Sequence, residues 1–445
     1  MTITTRAANL GWRRIGPLVL VGTTVTACSS AARPRAGSES RTVTTSATAT
    51  QAPTGRSTGF STRGGGVLVA VDARTGRQQW RTELPMASVS EPVVSGALVI
   101  VAGTDDCAGS RLTVAAVRAD NGQPAWQSAV AAQNICAFDV GVHVANGIVV
   151  AGGPLGGGAD PPGSCTASGR AVAGPRAVAL DLTTGKQRWQ APPATGEVLA
   201  ATSATVITRG ANPGCLVGLD AASGHARWTV ASPVSPIDAS TDADSAFVFG
   251  QVAGGADSVS AVDPNTGRKR WQVALGRSDG SWPLAVGEVL VTATERTTLD
   301  FPPVIPGSPK ATPPEPTSVT TINCLDPGTG HQLWSAAVPD GQISTSLGPG
   351  LVLVTHLSGN QSTVEARDSR TGVQRWQSPS LPSGVGARTD GTVVVALTFQ
   401  SAAAFSAERG RPLWTVAGGY TGAAVTADTV YLAAQSTPKN QPQGD

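Results

Sequence analysis

Lysine is nearly missing from this chain: four residues stand against 28 arginines in 445, and the net charge is only +2. Outside the first 65 residues there is no basic run, so a nucleic-acid partner is not expected. Histidine is equally scarce, with four residues, and no two of them share metal-ligand spacing. No CxxC pair appears to suggest zinc, and no Gly-x-Ser-x-Gly elbow, phosphate loop or paired-carboxylate motif stands out. Gly-rich stretches such as GGPLGGGADPPGS lack the strand–Gly–helix context of a phosphate cradle. Residues 66–434 contain no credible amphipathic helix. No cofactor or metal is therefore implied by the residues themselves.

What is abundant is one phrase. Trp80, Trp126, Trp189, Trp228, Trp271, Trp334, Trp376 and Trp414 each follow a glycine by four residues. The glycines are Gly76, Gly122, Gly185, Gly224, Gly267, Gly330, Gly372 and Gly410. Six copies carry an aspartate four residues ahead of the glycine: Asp72, Asp181, Asp220, Asp263, Asp326 and Asp368. Arg118 and Ser406 replace it in the second and eighth copies, where a looser turn is expected. The residues before each Asp are apolar and β-branched, as in VLVAVD and AVALD, which signals a strand. Asp-x-x-Thr-Gly is turn chemistry: the carboxylate can accept from backbone N–H groups ahead of it, and Gly can take a positive φ. Each phrase is thus a hairpin ending on a strand that carries the Trp.

A large aromatic at one fixed place per hairpin calls for burial eight times over, which stacked neighbouring units provide. Two further strand-like stretches lie between successive hairpins, for example SWPLAVG and EVLVTATE. Four short strands per repeat make one propeller blade. The chain enters at a third strand, Val67–Asp72, and leaves after two stretches that read as a first and second strand. The expected fold is all-β: an eight-bladed β-propeller of four-stranded antiparallel blades, closed by pairing of the N- and C-terminal strands, with no free edge at the seam.

Ala-x-Asp-x-x-Thr-Gly-x-x-x-Trp is similar to the tryptophan-docking motif of the pyrroloquinoline-quinone (PQQ)-like β-propellers. That superfamily includes quinoprotein dehydrogenases and the propeller lipoprotein of the outer-membrane β-barrel assembly machine. The resemblance spans roughly residues 66–434. It implies docking, structural roles for the eight tryptophans. A PQQ-dependent dehydrogenase would need carboxylate and amide ligands for a calcium-like ion, a catalytic Asp and a stacking Trp. That set does not map onto this chain, and adjacent cysteines are absent.

At the N-terminus, Arg6, Arg13 and Arg14 precede the apolar stretch IGPLVLVGTTV and then Val25-Thr26-Ala27-Cys28. This resembles a lipoprotein signal peptide over residues 1–27, with Cys28 as the lipid attachment site. Arg13-Arg14 also leaves twin-arginine export open. Residues 28–65 read as the lipidated Cys and a disordered Ser/Thr/Ala/Pro-rich tether whose r.m.s. span is roughly 35 Å, and 435–445 as a disordered tail. The expected location is the cell envelope, lipid-anchored to the bacterial membrane, with the propeller facing the periplasm or cell-wall space.

Export makes disulfides reasonable. Cys107, Cys136, Cys165 and Cys215 are placed in loops, and nearest-neighbour pairing, Cys107–Cys136 and Cys165–Cys215, is preferred over the two other connectivities. Cys324 takes the small inward strand position held elsewhere by Ala70, Ala179, Gly218 and Ala261, and reads as a buried free thiol. His225 and His331 follow the turn glycine and read as solvated. The turns joining strands one–two and three–four share a plain face, while the opposite face holds the insertions at 152–176 and 300–316. Loops that vary on a rigid ring suggest a recognition face. Trp282 is the one fold tryptophan outside the repeat and a possible ligand anchor, and Glu91, Asp139 and Asp238 fall near inner strands. The function this supports is a non-catalytic scaffold binding an envelope protein or polymer. The alternatives are a PQQ-dependent dehydrogenase and a solute- or glycan-binding lipoprotein using the channel mouth.

Overall fold

The computed structural model describes residues 65–435 apart from 105–110, 132–140, 153–176, 193–194, 211–213, 242–244, 253–254, 277–279, 299–316 and 340–341. The chain divides into units 1–59 and 60–445; the first lies wholly outside the described residues, as do the signal and tether readings and Cys28. All regular structure among the described residues of the second unit is β. No helix is long and apolar enough to cross a membrane, among the described residues.

Eight antiparallel sheets form the blades of the propeller. Blade 1 combines both ends of the described chain: Tyr420–Val425, Thr429–Ala434, Val67–Asp72 and Gln78–Glu83, paired in that order. Its seam runs in continuous register from Val67 opposite Ala434 to Asp72 opposite Thr429. Blades 2 to 8 then follow in chain order, the last being Gly384–Thr389, Val393–Thr398, Ser401–Ser406 and Pro412–Ala417. The expected closure is what the structure has.

Second and third strands read as nearly continuous apolar runs because both faces of a blade are covered. Eight hydrophobic clusters result, one at each blade–blade interface. At the interface of blades 1 and 2, for instance, Leu68, Ala70, Trp80 and Tyr431 meet Val99, Val101, Ala115 and Val117. Each blade alone has two apolar faces and little core of its own, so the ring is what removes them from water.

The repeated phrase supplies the joints. The indole N–H of each Trp donates to a backbone carbonyl in the next blade's turn: Trp80 to Ala119, Trp126 to Leu182, Trp189 to Ala221, Trp228 to Pro264, Trp271 to Pro327, Trp334 to Ser369, Trp376 to Ala407 and Trp414 to Ala73, at 2.7–3.1 Å. On its own blade each Trp sits opposite a small residue, Ala, Gly218 or Cys324, and a β-bulge follows that residue in every blade. The bulge shifts the register just before the turn. Trp80, Trp126, Trp189, Trp334 and Trp376 are buried; Trp228, Trp271 and Trp414 are half-buried.

The turn is the same in all eight blades. Gly372, with φ +71°, donates to the Asp368 carbonyl at 2.9 Å, and Asp368 N donates to Val373 O at 2.9 Å. Blades 2 and 8 keep both bonds, at 2.8 Å, with Arg118 and Ser406 in place of Asp. The expected loosening there does not occur, because the backbone bonds and the glycine conformation hold the turn without the carboxylate.

Candidate functional site: the axial channel and the two faces

First strands of neighbouring blades lie side by side around the axis and line the channel. In blade 3 the first strand, Gly141–Ala145, is half-buried and the second strand behind it is buried, whereas most of the first strand of blade 4, Thr195–Ala201, is buried as well. Both ends of the described chain leave on the face opposite the Asp turns, since Val67 pairs with Glu83 and Ala434 at the far end of blade 1.

One ion pair crosses the channel wall. The first strand of blade 2 is broken into Ser88–Val89 and Val93–Ser95, and Glu91 sits in the break. Ser90 pins that break: its N–H donates to Ala102 O at 2.7 Å, and its hydroxyl accepts from Ala102 N at 3.0 Å. Glu91 thereby reaches past blade 1 to Arg388 of blade 8, which grips it through both Nε and Nη2, the latter at 2.9 Å. Gly422 of blade 1 lies beneath; a Cβ there would stand 2.8 Å from Glu91 Cα. Burial works against the Arg388 charge, but the Glu91 carboxylate outweighs it and raises the guanidinium pKa.

Two other polar clusters involve blade 7, one of them joining it to blade 6. Glu288, in the first turn of blade 6, accepts from Gly350 N at 2.7 Å and from the Ser369 hydroxyl at 2.6 Å. The Ser369 bond is the main reason its carboxyl titrates below its ordinary range. Within blade 7, buried Glu365 takes His356 Nε2 at 2.9 Å and Arg367 Nη2 at 2.7 Å. Burial alone would raise Glu365; these partners reverse the direction. Both clusters use residues that the sequence reading did not single out. The signal of the second, charged residues within apolar strands, was present in LVLVTH and VEARD; Glu288 lies in a turn and left no such mark.

Of the residues marked from sequence, Asp238 and Trp282 fall on neighbouring first strands, of blades 5 and 6, and Glu91 falls in blade 2. The Trp282 backbone lies in the first strand of blade 6 opposite Ala293, and Asp238 lies in the first strand of blade 5 opposite Phe249. Asp139 lies outside the described residues, as do Cys107, Cys136, Cys165 and the insertions at 153–176 and 299–316. Cys215 corrects its loop placement. It opens the third strand of blade 4, buried and paired opposite Ala231, because the apolar run CLVGL continues back to it. It is disulfide-bonded. Cys324 is a buried free thiol whose Sγ donates to Ser369 O at 3.3 Å, and burial pushes its pKa up to about 12. His225 and His331 are exposed in their turns, as expected.

Among the described residues, no group of three or more His, Cys, Asp or Glu converges to hold a metal. The described carboxylates near the channel are already engaged, Glu91 by Arg388 and Glu197 by Arg209 at 3.4 Å. Among the described residues, this donor set does not fit the ion-plus-quinone group that the resemblance implies for a dehydrogenase.

A family model described as "Outer membrane protein assembly factor BamB" matches residues 23–133, 110–289, 255–377 and 318–441. The chain belongs to this BamB-like family of PQQ-type propellers. Among solved structures, the dihydro-heme d1 dehydrogenase NirN in complex with DHE is 14% identical with a TM-score of 0.53, covering 79% of this chain and 73% of its own. BamB from Moraxella catarrhalis is 19% identical with a TM-score of 0.48, covering 78% of this chain and 99% of its own. The quinohemoprotein alcohol dehydrogenase ADHIIG from Pseudomonas putida is 13% identical with a TM-score of 0.49, covering 82% and 77%. No curated protein matches the chain. At these identities the likeness concerns the fold, which this BamB-like chain shares with scaffolds and enzymes alike.

Proposed function

We propose that this BamB-like propeller is a lipid-anchored scaffold of the bacterial cell envelope, non-catalytic, that presents its loop face to a protein or polymer partner. The observation that carries this reading is the uniformity of the ring against the variation of one face. Eight equivalent Trp–carbonyl joints fix the blades, and nearly all length variation between repeats falls in the loops opposite the Asp turns. A rigid ring with variable loops suits recognition. Disulfides pairing Cys107 with Cys136 and Cys165 with Cys215 would stiffen that face, and Trp282 would stand at its edge. The name of the family adds an assembly role at the outer membrane for its namesake, and an envelope protein is the corresponding partner here.

Photo-crosslinkers placed in the loops at 153–176 and 299–316, in cells, test the reading. A discrete crosslinked envelope partner supports it. Changing Cys28 to Ala should release the protein from membranes; retention would remove the lipid-anchor element. Saturable binding of PQQ with calcium to the purified full chain would overturn the non-catalytic reading in favour of a dehydrogenase.

A further inference from the structure

The eightfold repeat provides an internal control for what each turn binds. In blade 1 the Asp72 Oδ1 accepts from Arg74 N at 3.1 Å and Thr75 N at 2.8 Å. Asp181, Asp220, Asp263 and Asp368 accept from the same two positions of their own turns at 2.9–3.1 Å. Two successive N–H groups pointing into one concavity are a backbone nest, and here the nest seats a carboxylate. A basic side chain seven residues on, Arg188, Arg270 or Arg375, holds the second oxygen at 2.5–2.9 Å.

Blades 2 and 8 have the same nest without the carboxylate. Their turns repeat both backbone bonds, and Gly122 and Gly410 have φ of +70° and +64°, against +68° for Gly76. The corresponding donors are Asp120 N and Asn121 N in blade 2, and Glu408 N and Arg409 N in blade 8. None of the four meets an acceptor among the described residues. Where the other blades carry Asp, blade 2 carries exposed Arg118, which adds a cation to the donors, and blade 8 has exposed Arg411 beside its nest. The acidic side chains on this face are Asp120, Glu408 (held by Arg409 Nε at 3.2 Å), Asp72 in its own nest, and Asp428 and Asp390 in the first turns of blades 1 and 8. Blades 2 and 8 flank blade 1, whose turn presents exposed Arg74 and Arg77.

We propose that the turn face of blades 8, 1 and 2 binds an acidic peptide segment of a partner protein, each of the two nests taking a carboxylate where the other blades seat their own Asp. Carboxylate is the chemistry named because the same nest seats one in the neighbouring turns. The proposal goes beyond the scaffold reading: it concerns the face opposite the variable loops and supplies the chemistry of what docks there.

The test is calorimetric titration of the full chain with a hexaglutamate peptide at low ionic strength. Arg118→Asp and Ser406→Asp rebuild the internal carboxylate and fill the nests. The double variant should bind at least about tenfold more weakly than wild type. Arg268→Asp on blade 5 changes the charge as much as Arg118→Asp but leaves the Asp263 nest filled, and should bind within about twofold of wild type. Equal weakening by Arg268→Asp, undiminished binding by the double variant, or no saturable binding by wild type would each overturn the proposal. So would tight binding of inorganic phosphate or anionic-lipid vesicles with none of the peptide. Failure here leaves loop crosslinks intact, while loss of those crosslinks with retained peptide binding would sink the loop-face reading alone.

Discussion

Trp414 and Ala73 are 341 residues apart in sequence, yet the Trp414 indole N–H donates to the Ala73 carbonyl at 2.8 Å. The bond is the same one that Trp80 makes to Ala119 or Trp376 to Ala407, so the seam is built like any other joint. Closure thus needs no special device: the repeat phase alone places an unmatched turn at one end and an unmatched Trp at the other.

That equivalence makes the joint measurable at one place. Trp376 is buried, donates to Ala407 O at 2.7 Å and packs on Phe405 with ring centroids 6.3 Å apart. Trp376→Phe keeps an aromatic ring but leaves a buried carbonyl without its donor, and should cost about 1–3 kcal/mol. Trp376→Ala also empties the space between blades 7 and 8 and should cost about 3–5 kcal/mol. Urea unfolding followed by fluorescence gives both; equal losses would mean that the indole N–H, and not the ring's volume, makes the joint.

The glycine of the phrase is constrained twice. At Gly372, φ is +71° and an added Cβ would stand 2.6 Å from Trp334 Cδ2. Gly96 has φ +57° but no atom within 4 Å of such a Cβ. Gly96→Ala should therefore cost only the left-handed penalty, about 1–2 kcal/mol, while Gly372→Ala adds a clash with the docked ring and should cost clearly more. Thermal unfolding of the two variants side by side checks the order; matching losses would remove packing from the explanation.

The turn, the docking Trp, the small residue opposite it and the ring closure were all legible because each recurs at fixed spacing. The bulge after Ala70 and its equivalents was not, since an extra residue in a strand leaves no mark on an apolar run. Nor was the persistence of the turns at Arg118 and Ser406, because the loss of a side-chain acceptor is visible in sequence and the surviving backbone bonds are not. The Glu91–Arg388 contact depends on a strand break in blade 2, on Gly422 in blade 1 and on Arg388 in blade 8, three features that share no motif. Single events of that kind are what a repeat-based reading passes over.

Acid should reveal the turns. The carboxyl groups of Asp72, Asp181, Asp220, Asp263, Asp326 and Asp368 all titrate below their ordinary 3.8, through side-chain hydrogen bonds from Thr75, Thr183, Ser223, Arg270, Thr329 and Arg375 in turn. Each folded-state pKa is depressed, so the linked stability is fully present above the unfolded value and is lost as pH falls through the folded one. The melting temperature should hold from neutral pH down to about 5 and fall below about 4. Ser406→Asp adds a seventh such group, so its gain over wild type should be present at pH 7 and shrink toward pH 2. A gain that persists unchanged at pH 2 would show that the new carboxylate is not in the nest.

The pair that bridges blades 2 and 8 should bear on the seam between them. Glu91 and Arg388 are 45% and 33% exposed, so solvent screens part of their attraction. A double-mutant cycle of Glu91→Gln and Arg388→Gln should give a coupling of about 1 kcal/mol, above the median for surface pairs because the grip is bidentate. The location of the effect is the sharper test. Hydrogen exchange in Glu91→Gln should quicken first in Val67–Asp72 and Thr429–Ala434, the two strands that join the chain ends under the bridge. Glu288→Gln removes a carboxylate that spans blades 6 and 7 instead, and should loosen that joint while leaving the seam protected. If both variants loosen the same blades, the bridge acts on overall stability and has no particular hold on the closure.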